Sequence, residues 1–478
     1  MKKILFILLA LMLSACNTVI VEKQNDTEND GSVQLAFDQQ DSDASYSVNG
    51  STYIALADED INISKAGTYI LQGELNGSVI VEVNENSKVQ LVLDNVNIHA
   101  GDFAGIYIIE ADEVEITLAD GTDNYIEDSS TYTQIDTNGV DALIYSKADL
   151  LINGTGTLNL TSSYNHGIVS KDDLIIASGN FNIDVAGQGL KGKDCVKIAD
   201  GNFNITSGKD AIKSDNDSDA GRGYVYIEKG TFNINSDADG IYAYNLLQIE
   251  DGDFKIQTNK SSTADSYKAI KSDHQIVING GSYDIDSADD GIHSNVDILI
   301  TGGNFEINSV DDAIHGDGKV EIDDGNFNIV AKEAIEATYV LINSGNFNIS
   351  ASDDGINAGQ KVNDYVPTIE INGGEIVIVM GQGDTDAIDS NGNIIVNGGT
   401  INITAQSAFD YDQSAQFNGG SIIVNGQEVT QIENQMMGGG MFGQNGGGFN
   451  PGGAGGFGPG GGNPGDAGGF GPGGGNRR

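Results

Sequence analysis

The chain has no tryptophan, two cysteines, and 23 lysines and arginines against 70 aspartates and glutamates. The missing indoles argue against a broad aromatic platform for crystalline cellulose. A net charge of −47 makes nucleic acid and anionic membrane surfaces poor partners, and divalent cations good ones. No Ser/His/Asp triad and no phosphate-cradling loop can be assembled from the sequence, because the many glycines follow a structural period instead. Neither a helical stretch nor an L-x-x-L-x-L core occurs in the repeating part, which sets leucine-rich repeats aside.

What the sequence has is a unit. Gly281 to Gly303, GSYDIDSADDGIHSNVDILITGG, holds three short apolar alternations: Tyr283 with Ile285, then Ile292, then Ile298 with Ile300. Each has the period of two that turns alternate side chains to one face of a strand, and Gly, Asp, Asn and Ser fill the gaps as turn residues. The glycine preceding the N-F-N-I-like segment recurs at 179, 201, 230, 252, 281, 303, 325, 345, 374 and 399, in steps of 20 to 29 residues. A period near 22, with insertions confined to turns, predicts an all-β fold: a single-stranded parallel β-helix, right-handed as parallel crossovers favour.

The opening MKKILFILLALMLSAC is expected to be a signal peptide (1–15), and Leu13-Ser14-Ala15-Cys16 resembles a lipobox with lipid attachment at Cys16. Ordinary secretion, with Cys16 incidental, is the alternative. Both imply export, and lipidation implies anchoring at a bacterial cell surface, with the membrane met through the lipid alone. Once Cys16 is acylated, Cys195 has no disulfide partner. Residues 16–45 are expected to be a flexible tether, 46–153 irregular N-terminal coils and cap, 154–430 the regular β-helix, and 431–478 a disordered Gly/Pro-rich tail. A monomer is expected.

Aligned coils give columns. Phe181, Phe203, Phe232, Phe254, Tyr283, Phe305, Phe327 and Phe347 form an aromatic ladder, and Ile168 through Ile388 an aliphatic one. Two residues before the aliphatic ladder runs a polar column containing Asp210, Asp239, Lys268, Asp290 and Asp312, with Asp289 and Asp311 beside it. Stacked carboxylates raise one another's pKa unless a cation lies between them, so Ca²⁺ is a candidate here, with a solvated acidic edge as the alternative. Asp215-Asn216-Asp217-Ser218-Asp219 is a second calcium candidate, although it lacks the glycine and glutamate of an EF-hand.

An outward column one residue beyond the aliphatic ladder carries Lys191, Lys213, Tyr242, Lys271, His293 and His315, with Lys171, Lys193 and Tyr244 two positions further on. Such a face suits an extended polymer, Lys meeting carboxylates and Tyr stacking on sugar rings. Alternatively these lysines pair with neighbouring aspartates. The adjacency of His293 and His315 invites a zinc reading, but spacing fixes no third ligand, so surface histidines are the simpler expectation.

Three ordered motifs carry a resemblance: Tyr164-Asn165-His166-Gly167-Ile168-Val169-Ser170-Lys171-Asp172-Asp173-Leu174, then Gly189-Leu190-Lys191-Gly192-Lys193-Asp194, then Ala211-Ile212-Lys213-Ser214-Asp215-Asn216-Asp217. From about Gly67 to Gly420 the chain resembles the polysaccharide-lyase-like, calcium-containing carbohydrate-binding β-helix proteins of bacterial cell surfaces, known from cellulose- and pectin-degrading clostridia. The resemblance implies bound calcium, affinity for plant-wall polysaccharide, especially acidic pectic chains, and a relation in shape to pectate lyases that use Ca²⁺ and a Lys base. It makes Lys171, Lys191, Lys193, Lys213, Asp215 and Asp217 candidates; Cys195 stands where Ser is expected. Binding is the favoured reading, an eliminating lyase with Lys191 or Lys213 as base the second, and a structural adhesin the third.

Overall fold

Alternation of large apolar and polar residues, punctuated by glycine, yields strands of three to twelve residues. A computed structural model describes residues 35–38, 40–260, 266–383 and 385–435. Cys16 and residues 436–478 lie outside them. Among the described residues there are 43 strands and no helix. The regular turn of chain is three strands long: Ser282–Ser287, Ile292–Ser294 and Asp297–Ile300. Each pairs in parallel with its counterpart one coil later, so that Tyr283 faces Phe305, Ile292 faces Ile314 and Ile298 faces Val320. The result is a solenoid-like stack dominated by parallel pairing.

The predicted ladders form. Rings from Phe181 to Phe347 stack with centroids 4.6–4.9 Å apart and planes within 1–3° of parallel. That separation is the strand spacing of about 4.8 Å itself. Ile376 and Ile401 continue the aromatic column, and Phe409 continues the aliphatic one beyond Ile388. Together these side chains form one apolar core running from Ile63 to Ile432.

Glycine before each aromatic is a requirement of close approach. Gly281 sits at φ 104°, and a Cβ there would lie 2.9 Å from the Gly252 carbonyl and 3.1 Å from Tyr283 Oη.

The earlier coils carry longer strands, Gly67–Asn76 and Lys88–His99. At the other end Ser421–Val424 folds back on Gln427–Val429 in an antiparallel hairpin. Its turn is Asn425-Gly426, both at positive φ, the dipeptide such hairpins favour. This breaks the repeat and replaces an open parallel edge, the template on which further strands would add. Within the stretch expected to be a tether, Leu35 packs with Cys195, Tyr224 and Leu246, and Lys197 Nζ lies 4.7 Å over the Phe37 ring.

Because Phe254 stacks on both Phe232 and Tyr283, Phe254→Ala should destabilise the chain by about 3–5 kcal/mol, and Phe254→Leu by clearly less. Urea midpoints read the difference; equal midpoints for the two variants would show that the loss follows the stacked ring and that apolar volume alone recovers nothing.

Candidate functional site

The outward lysine and tyrosine columns come together as predicted, and the structure shows what holds them. Lys213 Nζ lies 2.7 Å from Asp210 Oδ2 and 4.5 Å over the Tyr242 ring. Lys271 approaches the same ring at 5.1 Å and stands 3.7 Å from Asp239 and 3.8 Å from Asp273. Tyr242 is buried, and its hydroxyl donates to Asp273 at 2.8 Å. Lys191 pairs with Asp215 at 2.6 Å. Lys171 and Lys193 are exposed, Lys171 lying 5.5 Å over Tyr145, while Tyr244 is half-buried against His274. Burial alone would lower the Lys213 pKa, but the charge and hydrogen bond of Asp210, with Asp215 and Asp239 beyond, hold it above the usual lysine value. Lys213 is therefore a fixed cation.

Of the predicted metal ligands, Asp289, Asp290 and Asp311 bring carboxylate oxygens within 4.8 Å of one another. Lysines already serve them: Lys268 Nζ lies 2.8 Å from both Asp289 and Asp290, and Lys332 lies 3.0 Å from Asp311. Asp210 is held by Lys213, and buried Asp239 accepts the Lys268 backbone N–H at 2.8 Å. The loop candidates spread apart: Asp215 turns to Lys191, Asp217 is exposed, and Asp219 accepts the Gly221 N–H at 3.0 Å and faces Arg222 Nε at 3.6 Å.

A carboxylate group that the sequence pattern does not single out lies on another edge. Asp149, Asp172 and Asp173 converge within 4.8 Å, all half-buried, with Asp194 beside Asp172. Asp149 sits in register with Glu113, and its coil neighbour is Asp173. Burial and the charges of Asp172 and Asp173 push the Asp149 carboxyl up to about 7. Arg222 reaches Asp172 at 3.2 Å and also bonds Asp194. The all-oxygen donor set suits a hard cation such as Ca²⁺. The signal that could have found it is an alignment of first residues in the third strand of each coil, Glu113, Asp149, Asp173 and Cys195.

The other edge of the polar column behaves differently. His293 and His315 stack at 4.7 Å, and His315 Nδ1 meets Asp312 Oδ2 at 2.7 Å and Glu336 Oε2 at 2.9 Å. Burial would lower the His315 pKa, yet these two carboxylates raise it to about 10.

A third surface is hidden inside the repeat motif itself. The residues between the core aromatics and isoleucines point outward and form one register column: Asn159, Asn182, Asn204, Asn233, Lys255, Asp284, Glu306, Asn328 and Asn348. Side-chain amides bridge successive coils, Asn182 Nδ2 donating to Asn159 at 2.8 Å, Asn204 to Asn182 at 3.0 Å, and Asn348 to Asn328 at 2.8 Å. A parallel column repeats this, Asn326 donating to Asn304 and Asn346 to Asn326, both at 2.9 Å. Two grooves lie on this face. One, of about 450 Å³, is lined by Asn304, Asn326, Asn328, Asn346 and Asn348. The other, of about 400 Å³, is lined by Asn159, Asn182, Asn204 and Asn233, with half-exposed Tyr125 at its border.

Comparison with known proteins places this geometry in context. A carbohydrate-binding domain-containing protein of Acetivibrio thermocellus is 34% identical over 181 residues, 37% of this chain and 62% of the relative, so the match spans less than two thirds of that protein. A solved gadolinium derivative of the polysaccharide lyase-like protein from C. thermocellum is 30% identical, covering 50% of this chain and 95% of its own, with a TM-score of 0.40. The family model described as carbohydrate-binding domain-containing protein matches residues 57–313 and 297–429, which is most of the chain. With the match extending over nearly all the stacked coils, the chain belongs to the carbohydrate-binding domain-containing protein family.

Proposed function

We propose that this chain is a non-catalytic polysaccharide receptor that lays an extended glycan along its asparagine-lined face, on a parallel β-helix wound right-handed. The observation that carries this reading is the placement of both grooves on that face. An amide side chain has two N–H donors and an acceptor oxygen. Each ladder bond uses one N–H of one asparagine and one lone pair of the next. The second N–H remains for sugar hydroxyls, at the regular interval set by the coils. Lipid attachment at Cys16 would hold such a receptor at the cell surface.

Pectic, acidic chains are the second reading, and calcium is what would make them compatible with a chain of net charge −47. The favouring observation is the Asp149–Asp172–Asp173 group, whose oxygens converge and to which, among the described residues, Arg222 reaches only Asp172. We place the expected Ca²⁺ there in preference to Asp215–Asp219. A lyase reading asks Lys191 or Lys213 to act as base, and Lys213 is held protonated by Asp210.

Retention on a panel of insoluble cellulosic and immobilised polygalacturonate chains, with and without a chelator, tests the receptor reading. One hydrogen bond contributes roughly 0.5–1.5 kcal/mol, so Asn182→Ala with Asn204→Ala should weaken retention roughly five- to a hundredfold, while Lys213→Ala leaves it within twofold or so. Unchanged retention in the double variant would sink the face assignment. The same panel, read by ultraviolet absorbance, should show no unsaturated product; product lost in Lys213→Ala would restore the lyase.

Calcium has its own readout in pH. Glu113, Asp172 and Asp173 face Asp149 with like charge, and its carboxyl is pushed up to about 7 from an unfolded value of 3.8. The native state therefore binds a proton that the unfolded chain has released between those values, so stability falls as pH rises from about 4 to about 7. In cation-free buffer the melting temperature should climb as pH is lowered from 8 toward 5, and saturating Ca²⁺ should make that slope shallower by the part that Asp149 contributes. Asp149→Asn should remove its share of the slope without calcium, the rest coming from Asp354 and Asp389, whose half-buried carboxyls are pushed up to about 7 and about 6. A slope indifferent to both would remove the site.

A further inference from the structure

We propose that Asp312, His315 and Glu336, joined by His293, form a site for one divalent transition-metal ion of the zinc class. The donors come from three successive coils. His315 Nδ1 stands 2.7 Å from Asp312 Oδ2 and 2.9 Å from Glu336 Oε2, and the three ligand atoms lie within 4.8 Å of one another. A second convergent group, Asp290, His293 and His315, brings a ligand atom of His293 within 4.8 Å of His315. One imidazole N–H cannot fully serve two carboxylates, whereas a single cation between the donors serves all of them.

The surroundings show which ring nitrogen faces the other donors. His315 Nε2 faces Asp317 Oδ1 at 3.2 Å, and His293 Nε2 faces Asn295 Oδ1 at 2.9 Å. Both partners are acceptors that hold a proton on Nε2, so Nδ1, which lies among the carboxylates, is the nitrogen that would give up its proton to an entering metal ion. Metal-binding histidines are oriented in this way by an outer carboxylate or carbonyl. Independently, Asp312 is 5% exposed, and its Oδ1 is buried with no hydrogen-bond partner among the described residues. The equivalent oxygens of Asp210, Asp239 and Asp290 each accept a backbone N–H from the next coil.

Zinc-class ions rather than calcium follow from the donors. Imidazole nitrogen suits Zn²⁺, Ni²⁺ and Cu²⁺, while Ca²⁺ takes oxygen. Tetrahedral zinc with bonds of about 2.0–2.2 Å separates its donors by roughly 3.3 Å, so the pairs at 2.7 and 2.9 Å open slightly as the ion enters. Lys361 occupies Glu336 Oε1 at 2.7 Å and leaves Oε2 to the site. In the preceding coil this outward position is Lys271, which cannot ligate in its charged form; the change to His at 293 and 315 is what the site requires. The assignment stands apart from the glycan face and from the Asp149 group.

The test uses the full chain with Cys16→Ser and Cys195→Ser, so that no thiol contributes. Co²⁺ at pH 7 should give the visible d–d absorption of a four-coordinate N/O site at one ion per chain, displaced by Zn²⁺ and unaffected by excess Ca²⁺. His315→Gln should abolish it and His293→Gln should weaken it. Asp317→Asn, at a half-exposed position, should lower affinity about 10–100-fold with the fold intact, and His274→Gln should change nothing. Absence of the Co²⁺ spectrum, displacement by Ca²⁺, wild-type affinity in Asp317→Asn, or binding retained in a folded His315→Gln would overturn the assignment.

Discussion

Coil-to-coil registration governs this protein. Once strands pair in parallel with their counterparts one coil on, every residue meets its own equivalent at about 4.8 Å, and a single repeat unit must be compatible with copies of itself. Apolar residues pass that requirement easily. Stacked rings at 4.6–4.9 Å and stacked isoleucines each bury two faces, and the core continues as long as the register does. Asparagine passes it by another route, since each amide is both donor and acceptor and can bond its copy above and below.

Charge is what registration penalises. A column of aspartates one coil apart is a column of repelling neighbours, and the structure resolves the conflict locally in three ways. Lys268 bridges Asp289 and Asp290, and Lys213 covers Asp210. His315, from the adjoining outward column, answers Asp312 and its own register partner Glu336. Asp149, Asp172 and Asp173 receive less help, and the Asp149 carboxyl rises accordingly. The candidate metal sites are thus the places where the stacking rule is strained and the protein's own cations answer only part of the charge.

This explains what can be read from the sequence. A period near 22 and its apolar alternation report register directly, so the strand pattern, the ladders from Phe181 to Phe347 and the aliphatic column are legible in the residues alone. Side-chain pairing across a column is not. Whether Lys213 reaches toward solvent or back to Asp210 depends on rotamers, and the sequence shows only that the two are near. The loop Asp215–Asp219 looks like a calcium loop because its acids alternate, but Lys191 and Arg222 draw two of those acids apart. The asparagine columns are in plain view in the N-F-N-I segments, where they read as turn-like polar filler between core residues.

The same constraint bears on the proposal that this chain holds a polymer and does not cleave one. Catalysis needs one residue unlike its neighbours, with a pKa tuned to the reaction, while a stacked column makes neighbours alike and couples their charges. Lys213 shows the consequence: it sits among Asp210, Asp215 and Asp239, and their summed field keeps its proton in place. A polymer asks the opposite of its receptor, the same contact again at each step. The outward face from Asn159 to Asn348 supplies that in most coils, and the longer turns of the 29-residue coils leave it unbroken, since Asn204 still meets Asn233 in register across the first of them.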